Sequence, residues 1–217
     1  MKAWSYSSLT DFLGCPRRYH MVRDLKAVPF VETEAIRHGN EVHKALELRL
    51  SADKTPLPEK YVQYEPIAAK LDKPGVFVEK EIALTRSLKP TGWWSKDCWV
   101  RGKIDVGVKN KGVALLGDYK TGKVKPDASQ LQLFAAMEMQ CDPEVHTAKT
   151  MFIWLQYGKT SQETYVRDQV PVIWSEFIAK VAKLEDAYEK DKWLPKPSPL
   201  CGWCPLKKEH CEFRGSK

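Results

Sequence analysis

The stretch Leu115–Lys123, LLGDYKTGK, closes an apolar run that begins at Val113. Residues two apart on a strand share a face, so Asp118 and Lys120 project side by side from the end of what reads as a buried strand. Upstream, Cys98–Gly122 (CWVRGKIDVGVKNKGVALLGDYKTG) reads as two strands around a turn at Lys109–Gly112, KNKG. If that turn closes a hairpin, Asp105 falls within about two residues of the position opposite Asp118, about 7 Å or less along the strand. Two carboxylates at one sheet end repel unless a cation lies between them. Hard oxygen ligands with open positions suit Mg²⁺ or Mn²⁺, and an ammonium at Lys120 would orient a water or offset charge in a transition state. The alternative is a salt bridge at an exposed strand end.

Working outward, Gly75–Leu84 alternates like a strand, and Ala128–Met139 reads as a helix capped by Asp127 or Ser129. Thr147–Gly158 and Gln162–Val170 are two further strands, with a turn at Gly158–Ser161. A C-terminal helix over residues 171–190 carries Ile173, Phe177, Val181, Leu184 and Tyr188 at helical spacing. Before the sheet lie two helices. One starts in Ser8–His20 with Ser8 or Thr10 as its cap, and one covers Ile36–Leu50 with Ile36, Val42, Leu46 and Leu50 on one stripe. Residues 51–60 are polar and broken by proline. The order predicts a mixed α/β fold, a mixed sheet flanked by helices.

Three further positions bear on the acids. His43 shares a helical face with Glu47 and adjoins the apolar stripe; its neutral imidazole is a ligand for a divalent ion or a half-buried structural group. Glu79 and Glu81 point to one face of their strand, opposite Lys80, and one of them can line a cleft. Gln130 either reaches back across the site or closes a capping box with Asp127.

Six cysteines occur, and Cys201, Cys204 and Cys211 have C-x2-C-x6-C spacing. A fourth ligand comes from His210 or from Cys15, which precedes Pro16. Zinc and a [4Fe–4S] cluster both suit four thiolates, and coordination through Cys15 would staple the first helix to the tail. Cys98 and Cys141 read as ordinary thiols.

The 217 residues carry a net charge of +7 and a pI near 9.0, which favours a polyanionic partner. Arg17, Arg18, Arg23, Lys123 and Lys125 are candidates to track a phosphate backbone, and Trp93, Trp94 and Trp99 either stack on bases or anchor the core. No apolar run is long enough to span a membrane, and the N-terminus lacks an apolar signal core. The expectation is an intracellular, cytoplasmic, soluble protein with no membrane partner.

Taken in order, SSLTDFLGCPRRY, HGNEVHKALE, GKIDVG, GDYKTGK, QLQLF and CGWCPLKKEHC resemble the iron–sulfur RecB-type nucleases of the PD-(D/E)XK superfamily, a group that includes the nuclease domain of AddB and the four-cysteine CRISPR-associated nucleases. The resemblance runs from Ser8 to Cys211. It implies one restriction-endonuclease-like domain over residues 1–217, with a core of about residues 30–190 and a cluster region formed by residues 8–20 and 195–214. By the same resemblance, His43, Asp105, Asp118 and the Tyr119 carbonyl bind one or two Mg²⁺ or Mn²⁺ ions. Asp105, Asp118, Lys120 and Gln130 are the catalytic positions, and Cys15, Cys201, Cys204 and Cys211 hold a [4Fe–4S] cluster. The implied activity is hydrolysis of DNA phosphodiesters by metal-activated water, more as an exonuclease than an endonuclease, on DNA that is single-stranded or has single-stranded ends. The implied products carry 5′-phosphate and 3′-hydroxyl ends, and a homo-oligomer or a recombination or repair protein is the implied partner. Phe134 stands where the family's Q-x-x-x-Y motif has tyrosine, the last cysteine gap is one residue long of the common pattern, and no P-loop is present. A catalytically silent DNA-binding or assembly subunit is the alternative, as is an unrelated zinc-stapled binding protein.

Overall fold

The computed structural model describes residues 2–29 and 31–215. In chain order its elements are α1 (Tyr6–Gly14), α2 (Pro16–Tyr19), α3 (Glu34–Leu50), α4 (Glu65–Leu71), β1 (Val76–Thr85), β2 (Cys98–Asn110), β3 (Val113–Lys120), α5 (Ser129–Cys141), β4 (Thr147–Trp154), β5 (Lys159–Val166) and α6 (Val170–Glu189). The chain divides into two compact units, Thr33–Trp174 and a terminal unit made of Met1–Glu32 with Ser175–Lys217.

Thr33–Trp174 holds the expected mixed sheet, in strand order β1-β2-β3-β4-β5. Every neighbouring pair is antiparallel except β3 and β4, which run parallel. A parallel pair needs a crossover, and α5 supplies it. The turn between β2 and β3 is Lys111–Gly112, with φ of 44° and 77°. Two left-handed residues give the tight hairpin whose twist matches its strands, and they fix the register. At Gly112 a Cβ would lie 2.4 Å from the His146 ring and 3.1 Å from the Glu144 carbonyl, and the positive φ also favours glycine there.

On one face, Val42, Leu46 and Leu50 of α3 pack with Tyr61, Tyr64, Ala68, Val106 and Tyr119. Thr33 caps α3 by accepting from Ile36 N–H. Ile36, placed on the apolar stripe by its spacing, is instead 38% exposed, because the first turn of α3 lies beyond this packing. The segment Glu59–Leu71, which sequence reading leaves without structure, forms a 3₁₀ turn and α4. Arg49 ties it to α3 with bonds to Glu65 and Asp72. On the opposite face α5 covers the sheet. Its Glu138 is fully buried and is neutralised by Lys80 of β1 at 2.6 Å, with Lys109 of β2 at 3.5 Å.

These contacts expose a reversal of the pleat. Val76 and Val78 pack toward α3, and strict alternation would send Lys80 to that side and Glu79 to the other, yet Lys80 points toward α5. Glu79 nevertheless joins the α3 side, beside His43. Its φ is +50°, a left-handed conformation that is costly for a residue with a Cβ. The register is unbroken across it, from Val78↔Val106 to Lys80↔Ile104, so Glu79 sits opposite Asp105. Asp105 and Val106 likewise turn to the same side. Two neighbouring strands thus deliver an acid each to the α3 face at one level.

The expected turn at Gly158–Ser161 is displaced. Leu155–Tyr157 and Gly158 make it, with Gly158 at φ 57°, and Lys159 already begins β5.

In the terminal unit, Ser5 rather than Ser8 or Thr10 caps α1. Ser8 is its capping-box partner, since each serine side chain accepts from the other's N–H. Pro16 ends the helix and opens α2, because proline suits a first helical position but cannot extend the helix before it. Trp193 is stacked on His20 at 4.2 Å and meets Tyr188 edge-on at 4.8 Å. Arg17 donates to the carbonyls of Trp193 and His210, and Lys196 to that of Leu13. Chain start and chain end are therefore joined by hydrogen bonds. Among the described residues, no helix is long and apolar enough to cross a membrane.

Candidate active site

The β2–β3 ladder runs from Asn110↔Val113 to Val106↔Gly117. One step further Asp105 stands opposite Asp118, and there the strand pairing stops. The freed Tyr119 N–H donates to Asp105 Oδ2 at 2.8 Å. The hairpin predicted from KNKG therefore does set the two acids across from one another.

On the α3 side of this end, His43 Nδ1 lies 3.4 Å from Asp105 Oδ2 and Nε2 lies 3.0 Å from the Tyr119 carbonyl. With the imidazole neutral, an Nε2–H donating to that carbonyl leaves the Nδ1 lone pair facing the acids. Ligand atoms of His43, Glu79 and Asp105 all fall within 4.8 Å of one another. Lys103 flanks the group, 3.2 Å from Glu79 and 3.8 Å from Glu81. Both acids thus pair with Lys103, and Glu79 is the one that also enters the cluster.

Asp118, only 4% exposed, belongs to an adjoining triad. Lys120 Nζ lies 2.5 Å from Asp118 Oδ2, Gln130 Nε2 donates to Asp118 Oδ1 at 2.6 Å, and Lys120 donates to Gln130 Oε1 at 2.9 Å. Gln130 thus reaches across the site and takes no part in the capping box. Asp127 accepts from Ser129 N–H instead. Lys120 also sits 5.0 Å over the Phe152 ring.

The electrostatics follow from burial. Desolvation, reinforced by Asp118, pushes the Asp105 carboxyl up to about 8. Burial raises Asp118 as well, with Lys120 opposing it. Burial lowers His43, which keeps its imidazole neutral. Burial and mutual repulsion hold these two acids back from ionising beside a neutral imidazole, and a bound divalent cation would let them ionise. Carboxylate oxygens with one imidazole are a donor set that fits Mg²⁺ or Mn²⁺.

The terminal unit contains a second concentration of ligands. Cys15, Cys201, Cys204 and Cys211 line one small cavity together with Leu206 and Arg214. Ser198 N–H points at Cys201 Sγ from 3.4 Å, and Arg214 braces the loop by donating to the carbonyls of Leu206 and Gly202. His210 is not in this wall; its Nδ1 accepts from Lys207 N–H. Among the described residues, the one trio with ligand atoms mutually within 4.8 Å is His43, Glu79 and Asp105, so no three of these sulfurs meet that limit.

The proposed phosphate-tracking residues divide. Arg17 is committed to backbone carbonyls, and Arg18 and Arg23 both pair with Asp11. Lys123 and Lys125 are exposed just past the end of β3. Trp99 is buried against Trp174 and is removed from any stacking role. Trp94 is open to solvent. Sequence reading treated Glu79 and Glu81 alike; alternation alone carries no signal of the φ reversal that separates them.

A model of the PD-(D/E)XK nuclease superfamily matches the chain over residues 3–97 and 57–211. No curated protein matches it in sequence. Among solved structures, one from Eubacterium rectale, provisionally named an exonuclease, is similar with a TM-score of 0.56 at 15% identity. That match covers 95% of this chain and 90% of the other. The structure of SSO0001 matches at a TM-score of 0.43 and 12% identity, over 94% of this chain and 83% of the other.

Proposed function

Because the chain belongs to the PD-(D/E)XK nuclease superfamily, whose substrates are nucleic acids, we propose that it is a metal-dependent deoxyribonuclease acting from DNA ends. The observation that carries this reading is the convergence of His43, Glu79 and Asp105 within 4.8 Å, beside the Asp118–Lys120–Gln130 triad. His43, Asp105, Asp118 and the Tyr119 carbonyl would hold Mg²⁺ or Mn²⁺, and Glu79 adds a further carboxylate. Such an ion supplies Lewis-acid stabilisation of a phosphodiester and lowers the pKa of a water. Lys120 is held by two partners, so its ammonium is fixed where negative charge grows on the phosphate. Gln130 keeps Lys120 and Asp118 in register with each other. Tyr119 N–H holds Asp105 Oδ2 and orients its other oxygen.

In the same reading the four thiols hold a [4Fe–4S] cluster with a structural role. What supports a shared metal group is that all four cysteines line one cavity. Protein prepared without oxygen should be brown and lose its colour on oxidation; a colourless protein with bound zinc refutes the cluster.

The nuclease test uses end-labelled single- and double-stranded DNA with a circular control. Lys120→Ala and Asp105→Asn should each lower Mg²⁺- or Mn²⁺-dependent degradation by about 10³-fold or more, with the circular dichroism spectrum unchanged. Undiminished cleavage overturns the site, and cleavage of the circle overturns the requirement for an end.

A further inference from the structure

One feature of the sheet unit has no part in the site described above. The loop between β1 and β2 carries Trp94 with 84% of its surface open, although a tryptophan normally buries most of its area. Arg101 of β2 places its guanidinium 5.1 Å from the ring centroid of Trp94 and 5.1 Å from that of half-buried Trp93. The loop that presents this group is tied down at several points. Thr91 N–H donates to Ala83 O, Thr91 Oγ1 to Asp97 Oδ1, Ser95 N–H to Gly92 O, and Leu84 bridges to Pro90. The exposed indole is thus held by backbone bonds and one cation, with no apolar cover.

Its position follows from the strand. Arg101, Lys103 and Asp105 are alternate residues of β2, and the pleat reverses only beyond Asp105, so all three share one face. Four residues at about 3.3 Å each put Arg101 about 13 Å along the strand from Asp105. Lys103 lies between them, ion-paired with Glu79 and Glu81. A stacked strand rises about 3.4 Å per nucleotide, so about four nucleotides bridge the gap.

We propose that Trp93, Arg101 and Trp94 form a stacking platform for the bases of single-stranded DNA, on the same sheet face as the acid cluster; the choice of DNA as ligand rests on the nuclease reading. Arginine stacked on tryptophan holds the ring in place and turns its own N–H groups outward to phosphate oxygens. The open indole face accepts any base, because every base has a π-face. The platform therefore grips a strand without reading its sequence, and it offers a stacking surface that Phe134, buried under the sheet, does not.

The test compares binding of a fluorescent dT oligomer with that of an abasic oligomer of equal length and charge, in EDTA so that neither is cut. Wild-type protein should bind the dT oligomer about tenfold more tightly. Trp94→Ala should remove most of that difference and leave the abasic affinity unchanged, and Trp94→Phe should keep most of it. Equal wild-type affinity for the two oligomers, or a Trp94→Ala protein that still separates them fully, overturns the platform. So does an equal loss of both affinities in Trp94→Ala, since that is the loss of a charge surface. Because Trp94 is so exposed, its thermal transition should match wild type. Degradation of the dT oligomer by wild type after Mn²⁺ addition reads the nuclease assignment separately. A protein that separates the oligomers but cuts neither keeps the platform and loses the nuclease.

Discussion

The acid cluster of the sheet unit and the cysteine cavity of the terminal unit both collect residues able to ligate a metal from distant parts of the sequence, yet they are built in opposite ways. The acids are preorganised by the protein itself. Tyr119 N–H fixes Asp105, Lys120 and Gln130 fix Asp118, and the hairpin register sets the two opposite each other. The strain of bringing them together is held in the backbone at Glu79 and in a carboxyl that will not ionise. The thiols have no such mutual bonds. Around them the chain ends are closed by Arg17, Lys196 and Arg214 reaching carbonyls, which leaves a lined space. A sheet strong enough to bear an unfavourable site can hold a cation for chemistry. In the proposed reading, the small loop-rich unit relies on its cluster to hold itself.

The comparison breaks if the two sites respond alike to losing a ligand. The largest effect is expected at the cysteines. Cys201→Ser should lose the cluster and destabilise the terminal unit by more than about 4 kcal/mol, seen as early loss of tryptophan fluorescence in a denaturant titration. A colourless variant with an unchanged transition would make the two sites equivalent.

Next in size is the pH dependence of metal loading. Asp105 titrates near 8 in the metal-free protein and must lose its proton to bind an ion. Mn²⁺ affinity, followed by calorimetry, should rise about tenfold per pH unit below 8 and level off above it. The sign for stability is opposite. A carboxyl raised from 3.8 to about 8 contributes stability to the metal-free fold at low pH and loses it as pH rises through that window. In EDTA the melting temperature of wild type should therefore fall relative to Asp105→Asn between about pH 4 and 8. A constant difference would mean that Asp105 is ionised without metal.

Smaller changes sharpen the contrast. Gln130→Ala removes a hydrogen bond to a charged pair, about 1.5 kcal/mol, and should lower kcat about tenfold with metal affinity retained. Glu79→Gly should raise metal-free stability by about 1 kcal/mol, because glycine takes φ of +50° without strain, while Mn²⁺ affinity drops. A variant less stable than wild type would show that Glu79 earns its conformation through contacts other than a cation.

The sequence made the hairpin and its acids readable because a strand has a period of two and a tight turn fixes its register. Lys111–Gly112 does this, and Asp118 and Lys120 meet as their spacing requires. His43 was readable as one of two alternatives, and its helix places it by the site. What escaped were features that pair residues far apart. The left-handed Glu79 leaves no mark in a pattern of alternating charges. Gln130 fits a capping box as well as it fits Asp118, and only the crossover of α5 decides. Arg17 reads as a free cation in a basic stretch until the carbonyls of Trp193 and His210 are brought to it. Local periodicity carries strands and helices, and the destination of a long side chain is set by tertiary packing.

Arg167 donates to the carbonyls of Met139, Asp142 and Val145, clasping the end of α5 opposite to Gln130. Twelve helical steps of 1.5 Å put about 18 Å between the two ends. A rigid rod pinned at one tip and carrying a reactive contact at the other behaves as a tuning arm. In the proposed reading, small changes to the pin would alter the aim of Lys120 while the metal ligands stay the same, so turnover would answer to a place remote from the site.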